Sequence, residues 1–185
     1  MQVSSGITVI SGPAGVGKGT VVSHLVAAHP EIWVSVSATT RPPRPGEVEG
    51  RHYHFVSESD FDALVAGDGL LEWAVVHGRH RYGTPAEPVR RAADAGRVVV
   101  LEIDLAGARQ VRKALPEALS VFLAPPDWDT LVGRLAGRGT ETSEQVERRL
   151  QTAKVELDAA QEFDHVVVND DVEGTVGQLV SLLGL

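Results

Sequence analysis

The chain has 185 residues, a hydrophobic fraction of 43% and a formal net charge of −8, which fits one globular domain with a sizeable core. The acidic balance argues against a dedicated binder of nucleic acid or anionic membranes, because such proteins carry a basic surface. The absence of cysteine excludes disulfides, thiolate metal sites and cysteine nucleophiles. With no signal peptide and no apolar run of the ~18 residues that a membrane span needs, we expect a cytoplasmic protein without a nucleic-acid, membrane or obligatory protein partner.

The first predicted element is a short apolar strand at residues 7–10, followed by a glycine-rich stretch and a helix that ends near His29 and Pro30. Further apolar, β-branched runs follow at 32–36, 98–103, 119–123 and 166–168. Helical patterns follow at 86–95, 106–115, 142–160 and 172–183. Thr142 and Gln145 have the spacing of a capping box. Continuous apolar strands that alternate with helices predict an α/β fold, with a parallel central sheet between two helical layers.

Two segments interrupt this alternation. Residues 37–88 are rich in Arg, Pro, Gly and His, and their strands, at 53–56 and 70–77, alternate between apolar and polar residues. They predict a small α+β insertion at the carboxyl edge of the sheet. Residues 127–150 are dotted with Arg and Gly and predict helix with an exposed loop. We therefore expect a single domain over 1–185, with a core of 1–36, 89–126 and 151–185, an insertion of 37–88 and a lid of 127–150.

The glycine-rich stretch carries the G-x-x-x-x-G-K pattern of a P-loop, placed directly between a strand and a helix. Its glycines let backbone N–H groups form an anion nest, to which the helix N-terminus adds its positive dipole end. A glycine-rich turn that binds nothing is the alternative. The P-loop predicts ATP binding by Gly12, Pro13, Ala14, Gly15, Val16, Gly17, Lys18, Gly19 and Thr20. Lys18 supplies charge to the β- and γ-phosphates, and the Thr20 hydroxyl is the candidate to hold Mg²⁺, directly or through water.

A second phosphate site is indicated by residues 35–47, SVSATTRPPRPGE, in which Arg41 and Arg44 lie three apart between prolines that stiffen the chain. Arginine forks bind phosphate bidentately, although an isolated R-x-x-R is otherwise a solvated basic turn. The apolar strand VVVLEID at 98–104 ends in acids, which on its own indicates a Mg²⁺ site at Asp104. Glu102 lies one step deeper in that strand, where a buried structural role fits it.

These segments together resemble the guanylate kinases. The likeness spans 7–183 and is carried by 11–20, 35–47, 50–55, 71–73, 82–84, 101–107, 122–126, 134–142, 149–150 and 167–171. The S-x-T-T-R-x-x-R-x-G-E segment is the most diagnostic. The resemblance implies the P-loop nucleotide-kinase fold and transfer of the γ-phosphoryl group of ATP to GMP, and to dGMP, with Mg²⁺ in a closed site without water.

The resemblance also implies roles for residues in the acceptor site. The phosphate of GMP would be bound by Arg41, Arg44, Tyr53 and Tyr82. The guanine would be read by Ser37, Glu72, Thr84 and Asp104. A carboxylate can accept from both N1–H and N2–H₂ of guanine, whereas adenine would leave it unpaired. For Asp104 this role competes with the Mg²⁺ interpretation, and we follow the resemblance. The segment before Tyr82 is one residue longer than is usual, so His80 and Arg81 face either the acceptor phosphate or solvent.

The resemblance further implies that Arg134, Arg138 and Arg149, in and after the lid, stabilise the charge of phosphoryl transfer together with Lys18 and Arg41. Arg138 and Asn169 would lie near the base of ATP. Two other classes share parts of this pattern: a sugar-phosphate kinase of the same superfamily, and a guanylate-kinase-like module that binds proteins. Modules of that kind typically have a damaged P-loop, whereas Lys18 and Thr20 are intact here.

Overall fold

The computed structural model describes residues 6–76, 79–136 and 143–185. Its strands are β1 Ile7–Ser11, β2 Ile32–Val34, β3 Ala38–Thr39, β4 His54–Phe55, β5 Leu70–Val76, β6 His80–Pro85, β7 Val98–Glu102, β8 Leu119–Ala124 and β9 His165–Val168. Its helices are α1 Lys18–Ala28, α2 Glu58–Ala66, α3 Ala86–Asp94, α4 Leu105–Ala114, α5 Trp128–Ala136, α6 Ser143–Asp158 and α7 Val172–Leu183. A short 3₁₀ turn, Ala159–Glu162, follows α6.

Five parallel strands form the central sheet, in the order β2-β7-β1-β8-β9. Because side chains alternate along a strand, each strand contributes to both faces. On one face Val9 and Leu101 pack with apolar residues of α3 and α4. On the other, Ile10 and Val100 pack with residues of α1 and α7. The predicted parallel α/β fold is therefore confirmed, and its core strands and helices begin and end within about two residues of the predicted positions.

A second, four-stranded sheet lies in the 37–88 segment, in the order β4-β3-β6-β5. β5 pairs antiparallel with β6, which pairs antiparallel with β3. Strands β3 and β6 and helix α2 were not individually predicted. α2 begins at a capping box formed by Ser57 and Asp60, which satisfies two N–H groups at its start.

Helices α5 and α6 form a small cluster of their own, in which Leu131 and Leu135 of α5 pack on Ala153 of α6. The predicted capping box for α6 involves Thr142, which lies outside the described residues. None of the helices in 6–76, 79–136 and 143–185 is long and apolar enough to cross a membrane.

The topology brings the chemically interesting segments to one edge of the central sheet. The loop after β1 and the turn after β7 both leave the carboxyl ends of neighbouring strands, which is where ligands bind in open α/β sheets. α4 starts at this edge and packs along β5 of the second sheet. Helix α4 therefore joins the second sheet to this edge of the central sheet.

Candidate active site

The backbone of the P-loop needs glycine at several positions. Gly12, Gly15 and Gly17 have φ values of +149°, +82° and +96°, a region that residues with a Cβ rarely adopt. A Cβ on Gly12 would also lie 2.3 Å from the carbonyl oxygen of Leu123 on β8. The loop is thus turned tightly between β1 and α1, as the predicted anion nest requires.

Lys18 is folded back onto this loop. Its Nζ donates hydrogen bonds to the carbonyl oxygens of Gly12 and, at 3.3 Å, Pro13. Burial lowers the pKa of Lys18, while the negative charges of Glu156, Glu102 and Asp104 act in the opposite direction. The loop therefore holds a cation whose charge is incompletely solvated, which strengthens its attraction for a phosphate.

Two predicted site residues converge on the carbonyl oxygen of Val16, Asn169 from the predicted ATP site and Arg134 from the predicted lid. Asn169 Nδ2 donates to it at 2.7 Å, and Arg134 Nη1 donates at 3.3 Å. Thr175 Oγ1 in turn donates to Asn169 Oδ1 at 3.0 Å, which fixes the orientation of this amide. Asn169 is buried, so it supports the P-loop from the end of β9.

Three of the four predicted phosphate-binding residues of the acceptor site, Arg41, Tyr53 and Tyr82, form one cluster. Arg41 Nε donates to the Tyr82 hydroxyl at 3.0 Å, and the Arg41 guanidinium lies over the ring of Tyr53 at 5.4 Å. The rings of Tyr53 and Tyr82 contact edge to face with centroids 5.7 Å apart. Only 8% of the surface of Arg41 is exposed. Arg44 lies on an exposed turn and contacts this cluster through its backbone N–H in the described contacts.

The cluster includes a carboxylate that our sequence analysis did not assign. Glu47 accepts from both terminal nitrogens of Arg41, at 2.9 and 2.8 Å, and from the backbone N–H of Arg44 at 2.7 Å. This pairing lowers the pKa of Glu47 to about 2. Glu47 closes the diagnostic motif of residues 37–47, so its position in that motif was the available signal.

Glu72 and Thr84 form the second half of the acceptor site. They face each other on β5 and β6, and Thr84 Oγ1 donates to Glu72 Oε1 at 2.6 Å. Both are buried, and burial, with the charge of Asp104 adding to it, raises the pKa of Glu72 to about 7. Ser37 precedes β3, is half-buried, and accepts from the N–H of His54 through its carbonyl at 2.9 Å.

Asp104 lies between the end of β7 and the start of α4. Its Oδ1 accepts from the N–H of Gly107 at 2.8 Å and so caps α4. The negative charge of Asp104 also acts to raise the pKa of both Glu72 and Lys18. This position suits either of the two interpretations of Asp104.

The residues near Lys18 include oxygen donors that suit Mg²⁺. The exposed Thr20 lies in the first turn of α1, and Glu102 Oε1 lies 3.7 Å from where a Cβ on Gly19 would be. Burial raises the pKa of Glu102, against the charge of Lys18. Within the described residues there is no cluster of three or more His, Asp or Glu side chains that could hold a metal alone. Mg²⁺ commonly uses one or two protein oxygens with waters and substrate phosphates.

The remaining arginines differ in where they lie. Arg149 is half-buried on α6, and Arg138 lies outside the described residues. Arg81 donates to Glu58 at 2.9 Å and to Asp62 at 2.6 Å and stacks on Phe61. It therefore faces α2 rather than the acceptor phosphate or open solvent.

Glu156 was not assigned by our sequence analysis. It lies on α6, and burial raises its pKa, while Lys18 and a hydrogen bond from the N–H of Ala14 lower it. This contact joins α6 to the P-loop. Its two residues lie more than a hundred positions apart in the sequence, so no local sequence pattern predicts it.

Comparison with known proteins gives one consistent result. A sequence model of the family described as guanylate kinase matches residues 4–184. The chain is 62% identical over 179 residues to the guanylate kinase of Cutibacterium acnes, covering 97% of this chain and 90% of that protein. It is 59% identical over 176 residues to that of Streptomyces coelicolor, covering 95% and 89%.

Solved structures give the same result. The guanylate kinase from Anaplasma phagocytophilum aligns with a TM-score of 0.74 and 30% identity, over 96% of this chain and 84% of that one. A shikimate kinase from Bacteroides thetaiotaomicron aligns with a TM-score of 0.52 and 17% identity, over 97% and 98%. The second likeness is one of fold alone.

Proposed function

The chain belongs to the guanylate kinase family and is an ATP:GMP phosphotransferase, and we propose that it performs this reaction where the P-loop faces the second sheet. ATP lies on the P-loop, GMP lies on the second sheet, and the γ-phosphoryl group passes between them in line. The following assignment of residues is our proposal.

The phosphate of GMP is bound by Arg41, Tyr53 and Tyr82, with Arg44 joining from its exposed turn. Arg41 is buried, charged and already oriented by three side-chain hydrogen bonds, one to Tyr82 and two to Glu47, so little conformational entropy is lost when it binds an anion. The tyrosines offer hydroxyl donors beside the guanidinium. A phosphate has oxygens enough for all four side chains.

The guanine is read by Glu72 and Thr84, with Ser37 and Asp104 at its edges. The single observation that carries this assignment is the buried Glu72 carboxylate, bonded to Thr84 on one oxygen at 2.6 Å. Its two oxygens together have further lone pairs, which would accept from the paired N–H groups of guanine. Adenine has no such donor pair, so the buried carboxylate would remain unpaired at a large energetic cost.

On the donor side, the P-loop from Gly12 to Thr20 cradles the phosphates of ATP. Lys18 neutralises charge on the transferred group, and Arg134, Arg138 and Arg149 stabilise the charge that develops on its oxygens. Asn169, with Arg138, lies towards the ATP base. Thr20 holds Mg²⁺, directly or through water, and that ion would neutralise the phosphates when bound.

We assign 37–88 as the insertion that binds GMP and 127–150 as the lid, on a core of 1–36, 89–126 and 151–185. Closure of both over the core would exclude water and limit wasteful hydrolysis of ATP. Use of dGMP, a cytoplasmic location and the absence of an obligatory protein partner stay predictions.

The test is an ADP-release assay with ATP, Mg²⁺ and each of GMP, dGMP, AMP, CMP and UMP. We expect GMP to be phosphorylated on the order of a hundredfold more efficiently than AMP, CMP or UMP, a ratio that hydrogen-bond recognition readily supplies. Comparable turnover of AMP and GMP would remove the assignment of the guanine site.

A further inference from the structure

We propose that Gly107 and Gln110 are positioning residues that seat the guanine-reading carboxylate: together they hold β5 and the Glu72 side chain against α4. The proposal rests on the proposed function, in which Glu72 reads the guanine. Neither residue touches substrate in this proposal. They act through Glu72.

Gly107 gives the Glu72 side chain its space. A Cβ on Gly107 would lie 2.8 Å from Glu72 Oε2, 3.1 Å from its Cδ and 3.3 Å from its Cγ. Three successive atoms are affected, so rotation of the carboxylate alone cannot relieve the contact. Thr84 holds the opposite oxygen at 2.6 Å. Any side chain at position 107 must therefore displace Glu72 from its seat.

The backbone conformation at Gly107 does not require glycine. Residue 107 lies in the first turn of α4 with helical geometry, and it is absent from the residues with positive φ in the described chain. A glycine inside a helix normally destabilises it relative to alanine. Its presence here is explained by the close approach of Glu72.

Gln110 lies one turn further along α4 and hydrogen-bonds to Trp73, the residue of β5 that follows Glu72. Its Oε1 accepts from the N–H of Trp73 at 3.1 Å, and its Nε2 donates to the carbonyl of Trp73 at 2.9 Å. β5 is an edge strand of the four-stranded sheet, so its outer N–H and C=O groups lack a neighbouring strand. The amide of Gln110 supplies both hydrogen bonds of that missing strand beside Glu72.

Through these two contacts, α4 positions the side chain that reads the guanine. The helix is capped by Asp104 and follows directly from β7, so it is anchored in the central sheet. Gly107 and Gln110 are one turn apart and present one face to β5. The position of the carboxylate is thus fixed relative to the P-loop rather than only within the second sheet.

The test compares G107A and Q110A with the parent enzyme in steady-state assays with GMP, IMP and ATP. IMP lacks the N2 amino group, so the ratio of kcat/KM for GMP over IMP reports the geometry of the carboxylate. For G107A we expect KM for GMP to rise about tenfold or more, a loss comparable to one good hydrogen bond, and the GMP-over-IMP ratio to fall. For Q110A we expect a smaller rise, about threefold, because the strand keeps its pairing with β6. KM for ATP should stay within about twofold in both.

Matched controls exist on α7. G177A makes the same change at an exposed helical glycine where a Cβ would meet no atom within 4 Å, and Q178A makes the other change at an exposed glutamine. Both should keep the parent KM for GMP. An unchanged KM for GMP in G107A, or an equal rise in KM for ATP and GMP, would overturn the proposal.

A third variant separates this proposal from the proposed function. E72D draws the carboxylate back from position 107 by one methylene, so G107A should raise KM for GMP by a smaller factor in the E72D background than in the parent. An equal rise in KM for GMP in both backgrounds would contradict the proposed contact between position 107 and Glu72. If E72Q keeps full preference for GMP, the guanine assignment itself fails. If E72Q loses that preference but G107A does not, only the role of Gly107 fails.

Discussion

At the scale of single residues, Glu72 is buried where a charged group is poorly solvated. Burial and the nearby charge of Asp104 raise its pKa to about 7, although the hydrogen bond from Thr84 opposes the shift. In the proposed site guanine donates to the ionised carboxylate, so GMP would favour the protonation state that burial disfavours. Binding and proton release are therefore coupled at this residue.

We expect GMP to bind more tightly as pH rises from about 6 to 8, with release of a proton from Glu72 near neutral pH. Titration calorimetry in two buffers of different ionisation enthalpy measures that proton. E72Q is the control, because the phosphate of GMP itself titrates near pH 6 and does so equally in both proteins. The same proton release from E72Q as from the parent would contradict the coupling.

The same shift predicts a pH-dependent cost in stability. The pKa of Glu72 in the folded state lies above the ordinary value of 4.5. The contribution of protonated Glu72 to the free energy of unfolding is therefore fully present below pH 4.5 and is lost as pH rises through about 7. E72Q cannot ionise and keeps an acceptor for Thr84. Its free energy of unfolding should therefore exceed that of the parent at pH 8, by on the order of 3 kcal/mol. Urea unfolding at pH 4.5 and 8 tests this; an equal difference at both values would rule it out.

Arg41 and Arg81 provide a matched pair of arginines in the second sheet. Each binds carboxylates with its fork, but Arg41 lies with Tyr53 and Tyr82, whereas Arg81 faces α2. Lysine keeps the charge and loses the fork. R41K should raise KM for GMP by about tenfold or more and leave KM for ATP unchanged. R81K should leave both KM values unchanged. If KM for GMP rises in R81K but not in R41K, then Arg81 rather than Arg41 binds the phosphate of GMP.

At the scale of elements, sequence and structure agree best where the information is local. The P-loop is predicted from consecutive residues, and its glycines have the backbone that the motif needs. The core strands are predicted from continuous apolar runs. β6, by contrast, contains Arg81, Gly83 and Pro85, and only its pairing with β3 and β5 makes it a strand. The helix α2 has one fully buried apolar residue, Phe61, so its apolar pattern is too weak to predict a helix from the sequence.

The contacts of the site depend on this non-local pairing. Arg41, Tyr53 and Tyr82 come from three segments whose distance in sequence says nothing about their distance in space. Their assignment came from resemblance, and their proximity is visible only in the fold. The contact of Glu156 with the P-loop could not be predicted for the same reason.

The P-loop depends on an element far from it in sequence, the end of β9. Asn169 bonds the carbonyl of Val16 and is itself oriented by Thr175. N169A removes a buried donor from Val16 and a buried acceptor from Thr175. We expect a loss of about 1–3 kcal/mol in the free energy of unfolding and a higher KM for ATP.

The matched variants for N169A act on its orienting residue. T175V removes the hydroxyl and should raise KM for ATP in the same direction, whereas T175S keeps it and should resemble the parent. Kinetics with ATP varied at saturating GMP measure both effects. If T175S and T175V behave alike, orientation of the amide by this hydroxyl is not what supports the loop.

At the scale of the whole molecule, a chain with a net charge of −8 binds two anionic nucleotides. In the proposed assignment a cation meets each nucleotide, Lys18 in the P-loop and Arg41 in the second sheet. Arg41 is buried and Lys18 is half-buried, and both are held by hydrogen bonds. The two sites lie on different sheets joined through α4, so each should bind its nucleotide in the absence of the other.

That separation gives a prediction for stability that needs no catalysis. A ligand that binds only the folded state at about a hundred times its Kd stabilises it by about 2.7 kcal/mol. For a chain of 185 residues this corresponds to a rise in Tm of roughly 5–10 °C. GMP without ATP should produce such a shift in calorimetry, and AMP at the same concentration should not. In R41K the shift with GMP should shrink while the shift with ATP persists. An equal shift with AMP and GMP would mean that the second sheet binds the phosphate without reading the base.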